Sequence, residues 1–440
     1  MNMLKRISIS AVLLLAGIIA SAQSSGEYGS FAPYTAFGLG DINTKGTAYN
    51  RTMGGVGVAN RNTRFINPLN PASITARDSC SVMADFSLYE NNVIYKSNTG
   101  KSASNVFNIN DIIISLPMFK KNSAIVLGLM PYSSIGYTSQ TLEQNNEIVG
   151  YTGDLKHTNY GLGNMYQLFA GGAVLLWDRL SLGAQWVHYF GYTQKTYTQI
   201  FNNSSFSGVS DTYSIDMRAD AAKFGLQYEQ KVANKLKICV GGTYNLSARM
   251  RGSVDRDVYA SSSSSAVSAQ NTNLTTLSNP VRIASEVGAG LSVNYADRLM
   301  VEFNWLYSDW TNSNLDKVDG FKLENLSGLA FNPTKSQTFR LGLEWTPNPS
   351  DIRYYYKHVS YRAGAYYTED YYKVGENGIN AAGITLGATL PVFRWSNGIT
   401  VGLDFGKRGT LKDDLVKETY FNFSIGVNLY DIWFQKPTYK

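Results

Sequence analysis

The chain has 440 residues, a formal charge of +6, 16% charged residues, and 30 Tyr, 20 Phe, 7 Trp and 40 Gly. The mild positive excess, with no basic stretch interleaved with aromatics, argues against nucleic acid as a partner. Many aromatics, few charges and a negative mean hydropathy suit strands apolar on one side and polar on the other, leaving a membrane-spanning barrel and a secreted all-β adhesin or sugar-binding protein both open.

Residues 1–22 read as a cleavable signal peptide: Lys5 and Arg6 are basic, Ala11 to Ala20 is an apolar core, and Ala20-Ser21-Ala22 precedes Gln23. The apolar run is shorter than the roughly 20 residues a spanning helix needs. No later run reaches that length either, which leaves a soluble periplasmic protein or a transmembrane β-barrel. No cysteine follows the cleavage point to carry a lipid.

Arg51 to Ser73, RTMGGVGVANRNTRFINPLNPAS, holds too much glycine, asparagine and proline for regular structure. Gly54, Gly55 and Gly57 permit close backbone approach, and Pro68 and Pro71 push Asn67 and Asn70 to extended or turn geometry. This stretch reads as a compact plug, with residues 23–78 as its domain and 79–440 as the wall around it.

From Ser79 to Phe434 the hydrophobicity alternates. In Thr338 to Trp345, Phe339, Leu341, Leu343 and Trp345 share one face, and Thr338, Arg340, Gly342 and Glu344 the other. In Tyr420 to Leu429, Phe421, Phe423, Ile425, Val427 and Leu429 oppose Asn422, Ser424, Gly426 and Asn428. Fourteen strands are expected: 79–96, 104–119, 122–139, 160–177, 178–197, 209–231, 233–252, 279–296, 297–313, 334–347, 351–370, 376–393, 397–408 and 416–434. Tight turns follow the even-numbered strands, at 119–122, 177–178, 296–298, 347–350 and 394–397. Long polar loops follow several odd ones, notably 140–159 and 252–278, with a serine run at 260–269 read as mobile. That asymmetry is the mark of an outer-membrane barrel with its short side periplasmic. Trp177, Trp345, Trp395 and Trp433 fall at the short-turn ends and Trp310 at an outer end, as interfacial belts require. Cys80 and Cys239, on the first and seventh strands, sit too far apart in such a barrel for a disulfide.

The glycine-rich run with Asn70-Pro71-Ala72 resembles the N-terminal hatch of the FadL family of outer-membrane transporters, and equally the FadL-related barrels of type IX secretion. The segments 128–137 (GLMPYSSIGY), Leu180-Ser181-Leu182-Gly183 and Asp309-Trp310 look like FadL-family barrel pieces, and 407–436 like the final hairpin of FadL-like proteins of the Bacteroidota. The resemblance implies capture of a hydrophobic molecule outside and lateral release where the third strand kinks. Within that strand Pro131 lacks a ladder donor and is flanked by Gly128 and Gly136; a proline in a bulge of no consequence is the other reading. Phe65, Ile66 and Leu69 are candidate ligand contacts or simple plug packing. By parity Arg51, Arg61 and Arg64 are matched with Glu302, Glu344 and Asp404, or else face water. His157, His188 and His358 form no metal spacing, and no phosphate loop or nucleophile elbow is present; His358-Val359-Ser360 alone matches an H-x-S hydrolase pattern. The expectation is therefore a non-enzymatic channel without cofactor or metal. Its partners would be outer-membrane lipid, a fatty-acid-like ligand and, during biogenesis, the insertion machinery that reads terminal aromatic strands. The alternative is an accessory barrel of type IX secretion that binds cargo and secretion components through its outer loops.

Overall fold

The computed structural model describes residues 30–78, 80–119, 123–143, 145–203, 205–260, 266–322, 330–349, 351, 353–392 and 397–433. The expected signal peptide, the turns at 120–122 and 393–396 with Trp395, the 261–265 part of the serine run and Phe434 lie outside these residues.

Period-two alternation dictates the wall. Its strands are β1 (Ser81–Lys96), β2 (Lys101–Phe119), β3 (Ser123–Leu142), β4 (Leu155–Leu176), β5 (Leu180–Phe201), β6 (Val209–Ala233), β7 (Leu236–Asn245), β8 (Glu286–Tyr295), β9 (Leu299–Asp309), β10 (Lys335–Trp345), β11 (Ser360–Val374), β12 (Asn377–Val392), β13 (Asn397–Arg408) and β14 (Lys417–Ile432). Neighbours in sequence pair antiparallel, and β1 closes on β14 from Ser81–Ile432 to Lys96–Lys417. Closure removes sheet edges, which hydrocarbon cannot satisfy. On β10, Phe339, Leu341, Leu343 and Trp345 face outward and are exposed, while Thr338 and Arg340 are buried in the lumen. The result is a transmembrane antiparallel barrel of fourteen strands.

At the short-turn side, Trp177-Asp178 and Ala296-Asp297 have positive φ at both turn residues, the type I′ geometry that matches strand twist. Trp177, Trp345 and Trp433 are exposed at that rim.

Several boundaries differ from the sequence expectation, each for a local reason. The eleventh strand starts at Ser360, not at residue 351. The Asp351 carboxylate accepts from the backbone N–H groups of Arg353 and Tyr354 and from the Lys357 ammonium, folding this stretch into a turn with a 3-10 helix at Tyr355–Lys357. Lys357 and those amides hold the Asp351 carboxyl down at about 2.

The seventh strand stops at Asn245, and the chain resumes as Arg251–Ala260. That piece leaves the barrel to pair with residues 209–218, the outer part of the long β6. It then turns back as Ala266–Asn273, so the described part of the loop read as mobile is an ordered hairpin. Trp310 stands at the outer end of β9 yet is only 4% exposed, its ring tilted against Tyr371 at 4.8 Å. It shares parity with the inward-facing Asn304 and Leu306, so it belongs to the lumen and not to the belt.

The outward face sets a stability prediction. Leu341→Arg should lower the unfolding free energy by about 2–4 kcal/mol, the cost of a cation facing mid-bilayer lipid, as measured by urea unfolding in lipid vesicles.

Candidate functional site

Irregular backbone inside a closed barrel must find every hydrogen-bond partner locally. Residues 30–78 fill the lumen and meet this demand in two ways. Their own asparagines stand in for ladder partners: Asn50 Nδ2 donates to the Val56 carbonyl (2.8 Å), Asn67 Nδ2 to Gly57 (2.6 Å) and Asn70 Nδ2 to Val58 (2.6 Å). Asn70 also caps the 3-10 helix Pro71–Thr75 by accepting from the Ala72 N–H.

Inward wall side chains supply the rest. Asn304 Oδ1 accepts from the N–H groups of Gly57 (2.8 Å) and Val58 (3.1 Å), Glu302 Oε1 from Ala59 (2.8 Å), and Thr385 Oγ1 from Gly54 (2.8 Å). The Arg340 guanidinium donates to the carbonyls of Thr44 (2.9 Å) and Gly55 (2.8 Å).

Contact this close needs wall residues without side chains. A Cβ at Gly364 would collide with Met53 and Gly54, and one at Gly225 with Asn70. Gly54 is held at φ +71° with its backbone against Ala365 and Leu341. These wall glycines carry no motif; their signal is an inward-facing glycine in an otherwise large-residue strand.

The arginine matches expected from parity are replaced by others. Asp404 takes Lys45 (2.7 Å), and Glu344 takes Arg362 of the neighbouring strand (2.7 Å). Glu302 is spent on the plug backbone. Arg51 donates to Asn110 Oδ1 and Asn43 Oδ1 (both 2.9 Å), Arg61 reaches Thr75 and Gln227, and Arg64 is exposed. A cross-lumen partner is chosen by which atoms converge, which parity does not encode.

One stretch of wall is open. β2 and β3 pair from Phe119–Ser123 only as far as Ile112–Leu129. Above this point β2 stays with β1, and β3 stays with β4 up to Leu142–Lys156. Each strand carries a register shift at the parting: the extra residue is Asn110 on β2 and Tyr132 on β3, beside Pro131. The shift on β3 flips its parity, so Met130 and Tyr132 face inward below it and Ile135 and Tyr137 above.

The abandoned edge of β3 is met from inside by the N-terminal segment. Asp41 and Ile42 pair with Ser134 and Ser133, the Asn43 N–H donates to the Tyr132 carbonyl (2.7 Å), and the Ala32 N–H to Gly136 (2.7 Å). From β2, Asn110 reaches the same N-terminal segment, accepting from Arg51 and donating to the Gly46 carbonyl.

The expected site residues thus separate. Gly128 lies within intact pairing under the Phe169 ring, Pro131 at the shift, and Gly136 on the abandoned edge. Phe65 stacks on Tyr49 at 4.4 Å and Ile66 sits in the main apolar core; Leu69 lines a cavity. Its cavity, about 150 Å³, is walled also by Ile42, Met130, Tyr132, Phe169, Tyr189 and Trp310. Gln167, Gln185, Lys223, Glu286, Arg340 and Asp370 line it too, so this space has mixed polarity, with about the volume that holds a benzene-sized ring. A second cavity of about 680 Å³ shares Ile42, Asn43, Thr44 and Met130 with it, and reaches from Arg51 and Tyr366 to Phe107, Ile109 and Ile112, which are exposed on the outer wall. Asp41 to Thr44, Asn110 and Tyr132 escaped the sequence reading, because nothing local marks a residue as the partner of a missing strand. His358 is held by the carbonyls of Pro349 and Asp351, while Ser360 bonds Thr346, so the H-x-S pattern forms no dyad.

Fold and lumen together define a transmembrane barrel of FadL type, filled by its own N-terminal segment. Solved structures share the fold: the "CymD monoaromatic hydrocarbon channel" (TM-score 0.58, 15% identity, 88% of this chain and 98% of that one) and a Pseudomonas aeruginosa FadL homologue (0.57, 12%, 91% and 100%). The P. putida toluene transporter TodX is similar as well (0.56, 11%, 90% and 100%). The chain belongs to the BamG family, whose model matches residues 3–440. No curated protein sequence matches it.

Two substitutions probe the plug. Asn304→Ala strands two buried N–H groups and should cost about 1–3 kcal/mol for each, read as earlier proteolysis of residues 30–78 in folded barrels. Gly364→Leu should displace the plug and raise single-channel conductance in planar bilayers above that of the parent protein.

Proposed function

We propose that this protein is an outer-membrane channel for uptake of small hydrophobic molecules, non-enzymatic and free of cofactors. The signal-peptide reading of 1–22 and the apolar outer band support the location. A molecule enters from the long-loop side, lodges between the N-terminal segment and the wall, and leaves sideways between β2 and β3 into the bilayer.

The observation that carries this reading is the parting of those strands at Ile112–Leu129, with a cavity leading from the lumen to it. An apolar solute gains nothing by entering water, so an exit into lipid at mid-wall is the downhill route. In this scheme Asp41 to Asn43 is the gate, because its hydrogen bonds to β3 occupy the opening from within. That similar folds are described as hydrocarbon channels and toluene transporters supports the cargo class.

The test is uptake of radiolabelled toluene, and separately oleate, into vesicles holding the refolded protein. Uptake should exceed that of protein-free vesicles, and Pro131→Val, which restores a ladder donor, should reduce it severalfold while the barrel stays folded. Uptake no faster than through bare lipid would overturn the channel; an unchanged Pro131→Val would overturn the lateral exit alone.

The partner-binding alternative rests on one observation. Ala266–Asn273 is exposed at every residue and offers an unpaired strand edge beyond the rim. If an exported protein co-purified with the barrel and was lost on deleting 251–273, in a barrel that took up no solute, secretion would replace transport.

A further inference from the structure

The outward face of β6 and of the extended runs that follow β7 and precede β8 carries an arrangement unrelated to the lumen. Arg218 and Arg251 are directly opposite one another across paired strands, and so are Arg249 and Arg282. Residues directly opposite share a face. Here all four arginines are exposed, while Met217, Ala219, Ala248, Met250, Val281 and Ile283 beside them are buried. Arg249 and Arg251, two residues apart on one extended run, join the pairs into a single patch.

Like charges directly opposite in a sheet destabilise it. Among the described residues two carboxylates stand close: Asp220, 3.7 Å from Arg251 and hydrogen-bonded to His188, and Asp216, 3.4 Å from Arg218. Arg249 donates to the Thr275 carbonyl, and the next acid outward, Asp255, is engaged by Ser253 and Asn271. Four guanidinium groups therefore face two carboxylates, a surplus that an anion would neutralise.

The position of the patch identifies the anion. Phe224, Tyr244 and Val287 form one cross-strand row of exposed apolar side chains, and the arginines follow it toward the long-loop rim. Beside them on β5, Trp186, His188 and Phe190 stack at 5.7 and 5.8 Å, and Phe190 is paired directly with Arg218. Outward aromatic rings mark headgroup depth. Guanidinium groups at that depth meet phosphate in bidentate geometry while acyl chains cover the apolar row below. A soluble anion or an acidic protein would leave that row unused.

We infer that Arg218, Arg249, Arg251 and Arg282 form a binding site for the phosphates of a phosphorylated glycolipid in the outer leaflet. This rests on the long-loop rim lying in that leaflet, and not on hydrocarbon transport.

The test uses the folded full chain in detergent and purified lipopolysaccharide, with binding followed by native mass spectrometry. The variant with all four arginines changed to glutamine should bind at least tenfold more weakly than the parent. A four-lysine variant should recover part of the loss, and dephosphorylated lipid A should bind the parent no better than lipopolysaccharide binds the glutamine variant. The heat-dependent gel shift of intact barrels reports folding, so loss of binding is scored on folded protein. Equal binding by parent and glutamine variant would overturn the proposal. Arginine-dependent binding of phosphatidylglycerol without lipopolysaccharide would overturn the outer-leaflet assignment, and arginine-dependent capture of an acidic protein without lipid would overturn the lipid. Solute uptake, measured separately, bears only on the channel.

Discussion

A segment that is mostly irregular, with only short helical turns and a two-residue strand, occupies the lumen of a barrel only if its peptide groups are met from the wall or from itself. That constraint shapes most of this molecule. It accounts for Asn50, Asn67 and Asn70 of the plug, whose side-chain amides stand in for ladder donors, and for the polar inner faces of β9, β10 and β12, where Glu302, Asn304, Arg340 and Thr385 address backbone atoms of residues 44–59. It also explains the wall glycines at 225 and 364, since hydrogen bonds of 2.8 Å to a backbone require that the backbone lie against the sheet. The charged lumen is consequently a scaffold for the plug before it is a path for anything else.

The opening between β2 and β3 obeys the same accounting. A sheet edge within a membrane barrel is costly because lipid offers no partners. Here the edge of β3 is covered from the lumen by Asp41 to Asn43 and Ala32, so the wall is discontinuous while much of its backbone remains satisfied. Such an arrangement ties the plug and the opening together: the N-terminal segment covers the edge, and Asn110 of β2, bonded both to Arg51 and to Gly46, joins β2 to the body of the plug. The paired register shifts at Asn110 and Tyr132 are what let two neighbouring strands diverge without either losing its other partner.

Outside the lumen the barrel is organised by its solvent. Apolar side chains alternate outward through mid-wall, tryptophans mark the short-turn rim, and the outer parts of β4, β5 and β6 rise above the band to carry a hairpin of their own. The arginine patch follows the apolar row of Phe224, Tyr244 and Val287 toward the long-loop rim.

The strand count and the inside-outside parity were legible in the sequence, because a two-residue period is a local property that lipid on one side and a polar lumen on the other enforce directly. Phe339 to Trp345 faces as its pattern dictates, and the plug declares itself through glycine, asparagine and proline. Where a strand ends was less legible: Asp351 folds its own turn, and the outer part of β6 draws residues 251–260 away from the barrel to cover it. Pairings across the lumen were not legible at all. Lys45 with Asp404, Arg362 with Glu344, and Ile42 with Ser133 join residues distant in the chain or choose among equivalent inward positions. Only the closed barrel brings those atoms within bonding distance, since each match depends on where the plug comes to rest against the wall.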